Sequence, residues 1–270
     1  MIACTIAGSD SGGGAGIQAD LKTFQELNVF GTSVITALTA QNTLGVHGVF
    51  PVDTAFVEAQ LCAVLEDINI KAIKTGMLFD ASIIQAVATI LKKYQIPLVI
   101  DPVMIAKGGE SLLLKEAVEA LKENLLPLAT VCTPNIPEAE VITGMKIRTE
   151  QDVYEAAQQI LKLGVSCVVM KGGHLDGAMA KDSVFTLNEP PFHLETERIN
   201  TKQTHGTGCT FSAALTAQLA KGQNLKDAII EAKKFVHLAI QEPLNIGHGF
   251  GPTNHFAYRQ FEGKCPVHVF

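Results

Sequence analysis

Apolar positions along the chain follow two alternating rhythms. Short β-branched or apolar runs of strand length alternate with longer segments whose apolar residues recur every three or four positions, nearly from end to end. Ile2 to Ala7 is the first predicted strand. Beyond the glycine-rich stretch Gly8 to Gly16, Ile17, Leu21, Phe24 and Leu27 recur at helical spacing until Gly31. The pattern then predicts a strand over Thr32–Thr39, a helix over Ala55–Leu65, a strand over Ala72–Lys74, a helix over Ile83–Tyr94 and a buried strand over Leu98–Ile100. The second half continues with a helix around Lys115–Leu126, a strand over Thr130–Thr133, helices over Glu138–Thr143 and Gln151–Leu163, and a strand over Cys167–Met170. Two helices, Cys209–Ala220 and Leu225–Gln241, close the pattern. Such alternation predicts an α/β fold with a central, mostly parallel sheet and helices on both faces. The break comes at Ser183 to Ile199, whose alternation around Asn188-Glu189-Pro190-Pro191 predicts an antiparallel hairpin at a sheet edge. With no internal repeat, low-complexity tract or linker, residues 1–270 are expected to form a single domain.

Charge changes this picture little. A formal net charge of -6 lacks the broad cationic footprint of a phosphate-backbone binder, so nucleic acid is not an expected partner. A polyanion such as ATP is still compatible, because a few lysines, a helix N-terminus and Mg²⁺ act locally. The six cysteines show no C-x-x-C pair, and five lie in apolar or small-residue settings, which is reducing-compartment usage. The N-terminal run reads as a strand and not a signal peptide, and no stretch has membrane-span length and apolarity. A soluble, cytoplasmic protein is expected.

Candidate chemistry gathers where strands end. Thr204-His205-Gly206-Thr207-Gly208-Cys209-Thr210 leads directly into an apolar helix, so small residues stand where helix N-terminal amides lack partners; such a turn suits a phosphate or a developing oxyanion. At that position the helix dipole favours a thiolate at Cys209, able to take a proton from a substrate hydroxyl; the plain alternative is a helix cap with an inert thiol. Asp101 and Glu138 follow successive strands, and two carboxylates at neighbouring strand ends suit Mg²⁺, although a capped loop and a helix-terminal carboxylate explain each alone. Lys171, in Lys171-Gly172-Gly173-His174, emerges at the same rim, where a positive charge can offset a transferring phosphoryl group. Lys233 on the last helix is a weaker candidate of the same kind. Gly8 to Gly16 lacks the Lys-Ser/Thr of a Walker A loop, and Ile17 and Ala19 break the G-x-G-x-x-G register. Asp20, Gln41, Asn42 and Met77 read instead as contacts to a neutral heterocycle.

Seven ordered motifs together carry a resemblance. Ala7-Gly8-Ser9-Asp10-Ser11, Ala40-Gln41-Asn42-Thr43, Lys74-Thr75-Gly76-Met77, Asp101-Pro102-Val103-Met104, Thr133-Pro134-Asn135, Lys171-Gly172-Gly173-His174 and His205-Gly206-Thr207-Gly208-Cys209-Thr210 resemble the hydroxymethylpyrimidine/phosphomethylpyrimidine kinases of thiamine biosynthesis, a branch of the ribokinase-like superfamily. The resemblance runs from Ile2 to about Asn254. It implies a ribokinase-like three-layer sandwich and ATP with Mg²⁺ in two consecutive phosphorylations, first of an aminopyrimidine hydroxymethyl group and then of its monophosphate. It also implies roles: Gly206, Thr207 and Gly208 as the anion hole with Cys209 in the catalytic-base position, Lys171 and Lys233 toward ATP phosphates, Asp101 and Glu138 on the metal side. Gln41, Asp20, Met77 and Val103 would form the substrate pocket, and a homodimer is implied. The nearest alternative is a pyridoxal or pyridoxine kinase of the same branch, against which the Gln41-Asn42 pair argues. A dinucleotide-dependent oxidoreductase is disfavoured by the failed glycine register, and a (β/α)₈ barrel by the hairpin.

Overall fold

The computed structural model describes residues 1–104, 115–172, 177–261 and 263–270. Among these residues, ten strands form one sheet in the order β10-β9-β8-β7-β6-β5-β4-β1-β2-β3. They are β1 (Ile2–Asp10), β2 (Phe30–Asn42), β3 (Gly45–Pro51), β4 (Ala72–Thr75), β5 (Leu98–Ile100), β6 (Val131–Cys132), β7 (Cys167–Lys171), β8 (Met179–Thr186), β9 (Phe192–Glu197) and β10 (His268–Val269). The run β2-β1-β4-β5-β6-β7 is parallel, and antiparallel strands flank it on both sides.

Period-2 alternation divides each central strand between two cores. Leu98 and Ile100 enter one apolar cluster and Val99 the other; Val168 and Met170 are likewise separated from Cys167 and Val169. The first cluster receives α2 (Thr54–Asp67), α3 (Ala81–Leu91), α4 (Lys115–Ala120), α5 (Ile136–Thr143) and α6 (Glu150–Lys162). The second receives α1 (Gly16–Glu26), α7 (Thr207–Ala220) and α8 (Leu225–Gln241). Both sheet faces are therefore covered, as a parallel sheet requires, and the three-layer α/β architecture expected from the pattern is present.

Three local features differ from the sequence reading. The second strand runs on to Asn42 and returns as β3, so Gln41 and Asn42 lie in a hairpin and not after a strand. The helix expected to reach Leu126 stops at Ala120 and continues as a π-helical turn, Leu121–Leu125, and a 3₁₀ turn, Leu126–Leu128. Pro127, which lacks an N–H, stands where the regular ladder gives way. The tail adds α9 (Ala257–Gln260) and the two-residue β10 on the edge of β9.

Sheet order reverses at β1, which has β2 on one side and β4 on the other. In open parallel sheets this switch point opens a crevice beyond the carboxyl ends of the strands, where ligands bind. A large cleft lies there.

Candidate active site

Beyond the carboxyl ends of β1, β4, β5 and β7 lies a cleft of about 950 Å³. The turn before α7 forms part of its wall. Gly206 caps α7 with φ of 80°, no side chain caps the helix, and Thr210 N–H donates to Gly206 O as the first full turn. The leading amides thus lack the intrahelical partners that later residues have, and they confer the anion affinity of a helix N-terminus. Glycine is required at 206 on two counts. Its φ is left-handed, and a Cβ there would stand 1.7 Å from Gly14 O, so the β1–α1 loop is pressed directly against the turn.

Charge converges on the next glycine. A Cβ on Gly208 would lie 3.1 Å from Lys171 Nζ and 3.3 Å from Asp101 Oδ2, and Lys171 Nζ donates to Asp101 Oδ1 at 2.9 Å. Lys171 and Asp101 arrive from the ends of β7 and β5, as their strand-end positions predict. Burial pushes the Lys171 ammonium down, but Asp101 and Glu138 outweigh it and hold it well above its ordinary range. Glu138 accepts from Asn135 N–H at 2.9 Å in a capping box at the start of α5 and also lines the cleft. Burial, reinforced by Asp101, raises its carboxyl above the ordinary value against the pull of Lys171. Among the described residues no group of three or more His, Cys, Asp or Glu side chains could hold a metal by itself. A pair of strand-end carboxylates fits Mg²⁺ that draws its remaining ligands from phosphates and water.

Cys209 lines the cleft one residue beyond Gly208, but it is not the thiolate expected from its helix-terminal position. Burial pushes the thiol up to about 11; Lys74 and the Gly16 N–H pull it down by less. Desolvation here outweighs the helix dipole.

The expectation for Asp20 is also corrected. Its side chain is fully buried behind the cleft wall, where Oδ2 accepts from Lys74 Nζ at 2.7 Å and from Thr5 Oγ1 at 2.6 Å. The buried face of α1 carries it into the core and it does not line the cleft, whereas its equally buried partner Lys74 does. Burial pushes the Lys74 ammonium down, and Asp20, with Cys209 and Asp101 beyond it, holds it above its ordinary value. Lys233 lines the cleft but with its ammonium already engaged, donating to Asp182 Oδ2 at 2.7 Å and Ala180 O at 2.9 Å. It braces α8 against β8 and presents no free charge to a phosphate.

Gln41, Met77 and Val103 do line the cleft. Met77 lies over Gly8, whose Cβ would stand 2.5 Å from Met77 Cε. Val103 has φ of 41°, a left-handed conformation that a β-branched residue rarely adopts and that costs about 1–3 kcal/mol. Such strain persists where the surroundings hold a residue in place, and here it sits on the cleft wall. Gly173 and His174 of the Lys171 motif lie outside the described residues.

One constellation has no counterpart in the sequence reading. Asp10, at the end of β1, accepts N–H groups of Gly12, Gly14 and Ala15 at 2.8 to 3.0 Å, and its Oδ2 stands 2.8 Å from His205 Nε2. Burial pushes this carboxyl up, yet His205 and the backbone donors outweigh it and hold it below the ordinary value. Asp10 thereby shapes the glycine loop and ties it to the turn of α7. An Asp followed by small residues is a signal for such a loop; a partner 195 residues away is not visible in the sequence.

Residues 10–254 match the family described as phosphomethylpyrimidine kinase. The chain is 55% identical over 258 residues to the hydroxymethylpyrimidine/phosphomethylpyrimidine kinase of Haemophilus influenzae, covering 94% of this chain and 96% of that one. It is 52% identical over 265 residues to the Bacillus subtilis protein of the same description, covering 96% of each. Among solved structures, pyridoxal kinase from Staphylococcus aureus in complex with AMP-PCP and pyridoxal superposes with a TM-score of 0.92 at 38% identity, over 100% of this chain and 98% of that one. Phosphomethylpyrimidine kinase from Clostridium difficile gives 0.78 at 46% identity, over 89% and 99%. On its sequence and on its fold, this chain belongs to the phosphomethylpyrimidine kinase family.

Proposed function

We propose that the protein transfers the γ-phosphoryl group of ATP to the hydroxymethyl group of 4-amino-5-hydroxymethyl-2-methylpyrimidine, and then a second phosphoryl group to the resulting monophosphate, for thiamine biosynthesis. The observation that carries this reading is the convergence of Lys171, Asp101 and the uncapped turn Gly206–Gly208 within contact distance at one end of a cleft whose other walls bear Gln41, Met77 and Val103. A phosphoryl group resting on the turn is stabilised by helix-terminal amides and by Lys171, which suits a loose transition state with charge spread over its peripheral oxygens. The substrate oxygen bonds to phosphorus, and the bond from phosphorus to the departing nucleoside diphosphate breaks.

Cys209 acts in this scheme as a thiol. A thiol that keeps its proton cannot be the base at the outset, and a loose transition state asks little of one. Its role is to hold the hydroxymethyl oxygen in line with the phosphorus; the hydroxyl proton leaves late, once P–O bonding has made it acidic, to an oxygen of the transferred phosphoryl group and from there to solvent. Asp101 and Glu138 would hold Mg²⁺, directly or through water, and when bound the ion neutralises charge on the ATP phosphates. The Asp101–Lys171 pair keeps both groups poised at the rim before nucleotide arrives. We assign the whole chain to one catalytic domain, and take a reducing, cytoplasmic setting to suit its six unpaired cysteines.

A homodimer is supported by the free edge of the sheet. Leu38 and Phe50 are cross-strand neighbours in β2 and β3, 46% and 69% exposed, and Phe56 of α2 is 62% exposed. An apolar edge strand of this kind needs a partner. Phe50→Lys should convert the protein to monomer in light-scattering chromatography.

Steady-state kinetics with the pyrimidine and with pyridoxal tests the substrate assignment. A higher kcat/KM for the pyrimidine is expected, and a higher value for pyridoxal refutes it.

A further inference from the structure

His205 meets two groups at one nitrogen. Its Nε2 stands 2.8 Å from Asp10 Oδ2 and 3.3 Å from the Gln41 amide nitrogen. Asp10 is saturated with donors: Oδ1 takes Gly12 N–H, and Oδ2 takes Gly14 N–H and Ala15 N–H. As a carboxylate it offers no proton, so whichever charge the imidazole carries, Nε2 bears a hydrogen. That single hydrogen points to Asp10 Oδ2 at 2.8 Å, so the Gln41 atom at 3.3 Å is favoured as an oxygen, which can share it in a three-centre contact, over an amide N–H₂, whose hydrogens would face it. At the other end of the same amide, Thr39 Oγ1 lies 3.1 Å from Gln41 Oε1 and 2.9 Å from Ser9 O. A hydroxyl has one hydrogen, and Ser9 O has no other role for its approach than to accept it. The amide's end at Thr39 must then donate. With the nitrogen toward His205, both ends are mismatched; a half-turn of the amide gives Thr39 Oγ1 a donor and turns the contact at His205 from repulsive to attractive.

We infer that His205, fixed by Asp10, is a specificity-determining residue: with Thr39 it locks the Gln41 amide with Oε1 toward the imidazole and Nε2 toward the hydroxyl. One lone pair on Oε1 and one N–H on Nε2 are left for a ligand. They form an acceptor beside a donor, which matches an exocyclic amino group beside a ring nitrogen. The orientation has a further consequence. In the aminopyrimidine the amino-bearing and hydroxymethyl-bearing carbons are neighbours, so an amino group on the His205 side brings the hydroxymethyl group toward the turn that runs from His205 to Cys209. The opposite orientation would direct it away. Pyridoxal carries a formyl group, an acceptor without N–H, on the ring carbon next to the one that bears its hydroxymethyl group, in place of an amino group.

The inference rests on the aminopyrimidine reading of the cleft. Its test compares kcat/KM for hydroxymethylpyrimidine and for its 4-desamino analogue in the wild type and in His205→Leu, His205→Gln and Thr39→Val, each first shown to be folded by circular dichroism. The wild type should prefer the amino compound by at least about 10-fold, the worth of one well-made hydrogen bond. His205→Gln, whose amide can donate to both Asp10 and Gln41, should keep the preference. His205→Leu and Thr39→Val should lose it, through KM for the pyrimidine and with KM for ATP within about 2-fold, the split expected when uniform substrate binding is lost. If either leucine or valine variant folds and keeps the wild-type ratio, the orientation argument is wrong while the aminopyrimidine reading stands. A wild type with no preference overturns the reading and the inference with it.

Discussion

The protonation state of Cys209 can be measured directly. An unperturbed thiol at 9.0 is about 3% thiolate at pH 7.5, whereas one held at about 11 is about 0.03%. Alkylation by iodoacetamide follows the thiolate, so Cys209 should react about 100-fold more slowly at pH 7.5 than a thiol with the ordinary value. Three cysteines, Cys62, Cys209 and Cys265, are partly accessible, so the reaction must be followed residue by residue, by peptide mass spectrometry across pH 6 to about 11.5. Replacing Lys74, the charge that opposes burial, with Met should slow Cys209 further. The catalytic corollary is that Cys209→Ala lowers kcat by about 10–100-fold, the cost of misplacing the acceptor hydroxyl, with KM for ATP nearly unchanged. Modification of Cys209 with a midpoint at or below pH 9 would show a standing thiolate and refute the reasoning.

Other perturbations reach the rest of the site. Lys171→Met removes the charge facing the transferring group and leaves Asp101 unpaired; kcat should fall about 10²–10³-fold, read in a coupled ADP-release assay. Gly206→Ala forces a Cβ into Gly14 O and should lower the melting temperature by several degrees as well as abolish turnover, whereas Gly222→Ala, where a Cβ meets nothing within 4 Å, should leave turnover intact. Chelation of Mg²⁺ should stop transfer and readdition restore it. His255, buried beside Thr210, is pushed down to about 4 by burial, so the unfolded chain binds a proton the native one refuses. Its contribution is complete above about pH 6.5, falls as pH drops toward 4, and amounts to about 3 kcal/mol; the melting temperature of the wild type should fall across that window more steeply than that of His255→Gln.

The sheet's parallel centre was legible because strands buried on both faces are short apolar runs, and helices between them keep a period near 3.6. β3 was not, because Gly45–Pro51 is exposed along nearly its whole length and carries no apolar alternation that a core would impose. The rim residues Asp101, Glu138 and Lys171 were legible from position alone: each follows a strand whose end the apolar run defines. Asp20 was not legible, because helical periodicity places a carboxylate on the buried face without revealing the lysine that pairs with it, and Lys74 lies 54 residues on. Cys209 stands in the first turn of α7 and on the cleft wall, while its ionisation depends on burial that local sequence does not encode. The Asp10–His205–Gln41 contact joins β1, β2 and the turn before α7, and so exists only once the sheet order is set.

The central claim is that this cleft moves a phosphoryl group onto the pyrimidine's hydroxymethyl oxygen and then extends it. Incubation of the protein with Mg-ATP and hydroxymethylpyrimidine, with products resolved over time by anion-exchange chromatography and ³¹P NMR, tests it most directly. The account predicts a monophosphate that appears first and is converted to the diphosphate, with ADP released at each step; ATP left intact, or consumed without a phosphorylated pyrimidine, would contradict it.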